Sequence, residues 1–173
     1  MTSKLEKIVR FIGVAACWIF IPGQILIAMT HTLGRRVFDF SGTALQELEW
    51  HFFVALIFLA FGLTYLADRH VRIDIARERL GPRARAWIET IGFFVALLPF
   101  CLAVIYFGFE SAWHALETGE RSRASLGLPY RWIVKSVVPI GFLVLLLAGA
   151  TVATRNIRFL RTSDAAAAPC TNR

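Results

Sequence analysis

The chain has 173 residues, of which 57% are hydrophobic and 18% are charged, and its formal net charge is +7. So few charged residues cannot cover the surface of a soluble domain of this length, so most apolar surface is expected to face lipid or another membrane protein. The basic surplus does not indicate nucleic-acid binding, because it collects in short segments between apolar stretches.

Four apolar stretches predict four transmembrane helices, since each is long enough to cross a hydrocarbon core about 30 Å thick. They lie near residues 11–33, 49–67, 91–109 and 132–153. We therefore predict an all-α integral membrane protein. Residues 1–160 would form a single four-span domain, and 161–173 a flexible cytoplasmic tail.

The distribution of basic residues predicts how these helices are oriented. Thirteen of the nineteen Lys and Arg precede the first span or lie in the second loop and the tail, against five in the other two loops. Basic loops stay in the cytoplasm, so both termini are predicted to be cytoplasmic. The same basic segments are expected to contact anionic membrane lipids.

Three prolines and one glutamine lie within the predicted spans, where they affect the hydrogen bonds of the helices. Pro22 removes a helical hydrogen bond and can bend the helix, as Pro99 and Pro139 can in spans three and four. Gln24 lies near the middle of the first span, so it must find a polar partner in the bundle or in an adjoining subunit.

Charged side chains cluster at the predicted periplasmic ends of the spans. Glu47 and Glu49 open span two on roughly opposite faces, Glu110 closes span three, and Lys135 lies one turn into span four. An unpaired charge within a bilayer is costly, so we predict that Lys135 pairs with Glu49 or, failing that, with Glu110. Snorkelling of these side chains to the interface is the alternative.

The second loop is the most patterned polar segment. Asp74 can cap a short helix that runs to Leu80 and ends at Gly81-Pro82, which predicts a helix lying along the cytoplasmic surface. In the last loop, the segment 127–132 predicts a turn and the start of span four. Trp132 fits the aromatic belt at the membrane interface.

Several short motifs occur in a characteristic order along residues 8–155. A glutamate (Glu47 or Glu49) opens span two, and Arg69-His70-Val71-Arg72-Ile73-Asp74 follows that span. Glu120-Arg121-Ser122 and Leu128-Pro129-Tyr130-Arg131-Trp132 precede span four, and Pro139-Ile140-Gly141 lies within it. In this order on a four-span chain, they resemble the small membrane subunit, of the DctQ type, of tripartite ATP-independent periplasmic (TRAP) transporters.

The resemblance implies a small permease subunit in a bacterial inner membrane. Its partners would be a large permease, which carries the substrate and sodium sites of the symport, and a periplasmic binding protein that delivers an organic acid. The small subunit would enlarge and anchor the static scaffold, and the transported substrate would be set by the other components. The structural or partner-interface candidates are Glu49, Lys135, Glu110, Arg69, His70, Asp74, Pro129 and Trp132.

Two other functions compete with this one. A haem-binding electron carrier would need paired histidines, for which His31 and His51 are at similar depth. A self-contained small exporter would need a membrane carboxylate as a switch, for which Glu49 is the candidate. The sequence predicts neither an enzyme nor a cofactor or metal site, because it has no CxxC pair, phosphate loop or nucleophile–base–acid set.

Overall fold

A computed structural model of the chain describes residues 2–37, 42–67, 80–122 and 127–167. In these ranges the chain is helical and contains no strand. The helices are α1 (Thr2–Val37), α2 (Thr43–Leu66), α3 (Pro82–Gly92), α4 (Leu98–Glu117) and α5 (Trp132–Ala167). The third span combines α3 and α4 through a π-helical turn at Phe93–Leu97. Within the described residues, four helical stretches are long and apolar enough to cross a membrane, which confirms the prediction of a helical protein with four candidate spans.

Two of the helices extend well beyond the predicted spans. Both α1 and α5 contain 36 residues, which corresponds to about 54 Å at 1.5 Å per residue. Helix α5 continues through Ala167, so the first part of the predicted tail has a helical backbone. The flexibility of the tail stays a prediction, and residues 168–173 lie outside the described residues.

The π turn follows from the position of Pro99. Proline has no N–H to give to the preceding turn, and just before it the Leu98 N–H bonds to the Phe93 carbonyl, one residue further back than in an α-helix. At the other end of this span, Gly81 is the N-cap and Pro82 takes the first helical position, where its missing N–H costs nothing. The predicted interfacial helix falls almost entirely outside the described residues.

Helix α5 is the central element of the structure. In its most apolar stretch 56% of residues are buried, against 11% in each of the other three spans. It packs against every other helix, and on α2 the rings of Phe58 and Phe61 lie 5.8 Å and 5.9 Å from that of Phe142. Val144 of α5 also packs with Val9 of α1. The fold is therefore organised around the last helix.

Wide apolar surfaces remain uncovered on the outer helices. Trp18 on α1 is 79% exposed, and Phe107 on α4 is 65% exposed. Many further aliphatic and aromatic side chains of α1 and α4 are exposed in the same way. In a membrane-spanning chain these surfaces face lipid tails or another membrane protein.

Candidate functional site

Polar contacts between helices gather where α4 ends and α2 and α5 begin. Glu47, in the second turn of α2, directs its carboxylate to the loop between α4 and α5. Its Oε1 accepts a hydrogen bond from the Ser122 hydroxyl, and its Oε2 accepts one from the Leu128 N–H at 2.7 Å. These donors are 75 and 81 positions away in sequence, so one carboxylate holds both sides of a distant loop.

The loop reaches Glu47 because α4 ends in a Schellman motif. The Gly119 N–H bonds to the Leu116 carbonyl at 3.2 Å, and the Glu120 N–H bonds to the Ala115 carbonyl at 3.0 Å. Gly119 has φ +58°, a conformation that glycine adopts without the steric cost met by other residues. The chain therefore leaves the helix axis at Glu120 and turns towards α2.

The two described sides of the loop lie next to each other. The Ser122 N–H bonds to the Leu128 carbonyl at 3.3 Å, and the Arg131 N–H bonds to the Glu120 carbonyl at 3.4 Å. Gly127 lies between Ser122 and Glu47, and a Cβ atom there would overlap the Ser122 side chain and stand 2.9 Å from Glu47 Oε1. The absence of a side chain at this position allows the close approach.

Lys135 pairs with Glu120, so the predicted pairing with Glu49 or Glu110 is wrong. Its Nζ lies 2.5 Å from Glu120 Oε2, and the Arg131 guanidinium lies 3.9 Å from the other oxygen. The physical reason is the turn after α4, which places Glu120 over the first turn of α5. We call Glu47, Glu120, Ser122, Leu128 and Lys135 the Glu47 cluster.

Glu49 lies on the other side of α2 and faces α1. Its Oε2 is 3.4 Å from His31 Nδ1. The His51 Nδ1 lies 2.5 Å from the Glu47 carbonyl oxygen, so His51 is on the same face of α2 as Glu47, and Glu49 is on the other. This confirms that Glu47 and Glu49 point in different directions from α2, as a helical period of 3.6 residues requires.

The remaining predicted site residues are more scattered. Glu110 is exposed on α4 beside Tyr106 and Trp113, away from the Glu47 cluster. Pro129 and Trp132 line a small cleft of about 220 Å³ together with Glu120. The structure therefore brings Lys135, Pro129 and Trp132 together around the last loop. Arg69, His70 and Asp74 lie outside the described residues.

The Glu47 cluster pairs hydrogen-bond acceptors with donors from α2, α5 and the loop that follows α4. Carboxylates of Glu47 and Glu120 accept hydrogen bonds from a hydroxyl, a backbone N–H and an ammonium group. In the described part of the chain, no three His, Cys, Asp or Glu side chains stand close enough to hold a metal ion. The arrangement is suited to fixing three helix ends relative to one another.

Glu120, Ser122 and Gly127 were missed as site residues by the sequence reasoning. The motif Glu120-Arg121-Ser122 was noticed, but its residues are 75 positions from Glu47 and nothing in the local pattern joins them. The usable signal was Gly119, since a glycine just after an amphipathic or apolar helix marks a point where the chain turns back.

Comparison with known proteins gives one finding. A family model described as tripartite ATP-independent periplasmic transporters, DctQ component, matches residues 24–159. The matched range contains the whole Glu47 cluster, all of the second and third candidate spans and most of the fourth, but less than half of the first, which begins at Lys4. No curated protein matches the chain.

Proposed function

Because the chain belongs to the DctQ family, the small permease components of TRAP transporters, we propose that it braces the static scaffold of a large sodium-coupled permease. In this role it takes part in uptake that depends on a periplasmic binding protein. The large permease carries the sodium and substrate sites, and an organic acid is the substrate class. The small subunit itself performs no catalysis.

The observation that carries this proposal is the combination of the Glu47 cluster with uncovered apolar surfaces. The cluster ties the ends of α2, α4 and α5 to one loop, which suits a rigid supporting element. The exposed apolar side chains of α1, such as Trp18, offer area for a membrane partner. Both features support a scaffold, which must hold its shape while another subunit moves.

The proposed orientation places both termini in the cytoplasm of a bacterial cell, with the protein in the inner membrane. The Glu47 cluster then lies on the periplasmic side, because α4 ends and α2 and α5 begin there. The basic second loop lies in the cytoplasm, where a short interfacial helix beginning near Asp74 rests on the membrane. The support for this orientation is the distribution of Lys and Arg.

Purification of the tagged chain from its native membrane tests the partner. We expect a large polytopic permease to co-purify in a ratio of about one to one, identified by mass spectrometry of the detergent-solubilised complex. A homodimer without any larger membrane protein would contradict the proposal. A matched preparation carrying the same tag on an unrelated four-span protein controls for incidental capture.

A further inference from the structure

A second polar feature of the chain is a half-open cleft between α1 and α2, with a volume of about 500 Å³. Its polar wall contains Gln24, His31, Thr32, Arg35, Gln46 and Glu49, and the exposed rings of Trp50 and Phe53 complete the lining. The Glu47 cluster uses the opposite side of α2, so the cleft is a separate feature. Polar groups within a membrane need hydrogen-bond partners, so we expect this cleft to hold an occupant that provides them.

One polar group of a residue that lines the cleft lacks a hydrogen-bond partner. Gln24 Oε1 is buried, and no donor reaches it within the described residues. Arg35 lies eleven positions after Gln24, which is about 16 Å along a helix. If Arg35 marks the membrane surface, this carbonyl lies near the middle of a hydrocarbon core about 30 Å thick. Unpaired carbonyls at that depth are costly, so a partner is expected there.

Glu49 adds further accepting capacity to the same cleft. Its carboxylate is 33% exposed, and within the described residues its contact is with His31 at 3.4 Å. A carboxylate can accept about four hydrogen bonds, so a single long contact leaves most of that capacity unused. Gln24 Oε1 and Glu49 both have unused accepting capacity, so an occupant that donates hydrogen bonds would satisfy them.

We propose that this cleft is where a membrane-spanning helix of the large permease docks, and that the helix inserts an amide or cationic side chain between Gln24 and Glu49. The inference rests on the proposed function and specifies the surface of contact. Lipid tails carry no donor at the depth of Gln24, and lipid headgroups lie about 16 Å away, near Arg35. Exposed aromatic residues that line the cleft, such as Trp50, are typical of the centre of protein interfaces.

Photo-crosslinking in the native membrane tests the location of the partner. Benzoylphenylalanine replaces Phe53 in the lining of the cleft or, as a control of the same size, Phe107 on the exposed face of α4. We expect the reagent at Phe53 to form an adduct with the permease and the reagent at Phe107 to form lipid adducts. Adducts with the permease from Phe107 but not from Phe53 would overturn the inference, as would lipid adducts alone from Phe53.

The substitution Gln24→Leu tests the hydrogen bond expected for this side chain. We expect it to lower the permease recovered with the tagged chain by about tenfold, the effect of losing one well-made buried hydrogen bond. The control is Thr30→Val on the same helix, because the Thr30 hydroxyl already bonds to the Leu26 carbonyl. Unchanged recovery with Gln24→Leu would overturn the inference.

These experiments distinguish a wrong docking site from a wrong function. If the wild-type chain recovers no permease, the proposed function fails. If it recovers the permease, but the probe at position 53 forms no adduct with it and Gln24→Leu does not lower the recovery, only the docking site is wrong. Gel filtration of each variant in detergent separates loss of binding from loss of folding.

Discussion

Glu47 and Ser122 are hydrogen-bonded across 75 positions of sequence, and this contact joins the start of α2 to the loop before α5. The same carboxylate accepts the Leu128 N–H at 2.7 Å, so it serves both sides of that loop. Three of the four spans are therefore held at one end by a single side chain. This relationship gives the chain a defined geometry at the end proposed to be periplasmic.

Replacing Glu47 with alanine should destabilise the isolated subunit. The Leu128 N–H and the Ser122 hydroxyl would lose their acceptor, at a cost of about 1–3 kcal/mol, seen as a fall in the thermal midpoint measured by tryptophan fluorescence in detergent. Glu47→Gln keeps a carbonyl acceptor and should be intermediate. The control is Glu6→Ala, which breaks an exposed pair with Arg10 and should change little. Equal midpoints for Glu47→Ala and Glu6→Ala would contradict the role of the cluster.

The pair of Lys135 and Glu120 should show energetic coupling. A double-mutant cycle with Lys135→Ala and Glu120→Ala is expected to give a coupling energy of about 1 kcal/mol, because both side chains are about one third exposed to solvent. The same cycle between Lys135 and Glu49 should give a value near zero. Coupling to Glu49 in place of Glu120 would show that the pairing described here is wrong.

Gly127→Ala should destabilise the protein strongly, although it adds only one methyl group. The added methyl group would overlap Ser122 and press on Glu47, so either the loop shifts or the hydrogen bonds break. We expect the free energy of unfolding to fall by about 1–3 kcal/mol. Gly92→Ala is the matched control, because nothing lies within 4 Å of its added Cβ in a helix interior, where alanine is favoured over glycine. The prediction fails if Gly127→Ala is at least as stable as Gly92→Ala.

The topology can be measured with reporter fusions. Green fluorescent protein fused after the C-terminus should fluoresce, because the tail is proposed to be cytoplasmic, and alkaline phosphatase fused there should be inactive. A phosphatase fusion truncated after Thr118, at the end of α4, should be active, since that end is proposed to be periplasmic. The reverse pattern would invert the orientation of every span.

The sequence predicted the helices well because hydropathy is a local property. Four apolar stretches gave four spans, and helical periodicity predicted correctly that Glu47 and Glu49 face different ways. It also indicated that Gln24 needs a partner. The partner of Lys135 was predicted wrongly, because it depends on how the Schellman turn at Gly119 directs Glu120, and no local pattern contains that direction.

The choice of Glu49 over Glu47 as a site residue illustrates the same limit. Both glutamates open the same helix, and their sequence neighbours do not differ in a way that reveals which one meets the last loop. That depends on the packing of α5 against α2, which is set by contacts such as Phe58 with Phe142. Long-range packing therefore decides which carboxylate belongs to the cluster.

Uptake into proteoliposomes tests the central claim most directly. The solute would first be identified by mass spectrometry of the ligand that co-purifies with the periplasmic binding protein. Vesicles containing this chain and the large permease should accumulate that solute when the binding protein and an inward sodium gradient are present, and vesicles containing this chain alone should not. Accumulation by the chain alone, without the permease, would contradict the account and make the chain a self-contained transporter.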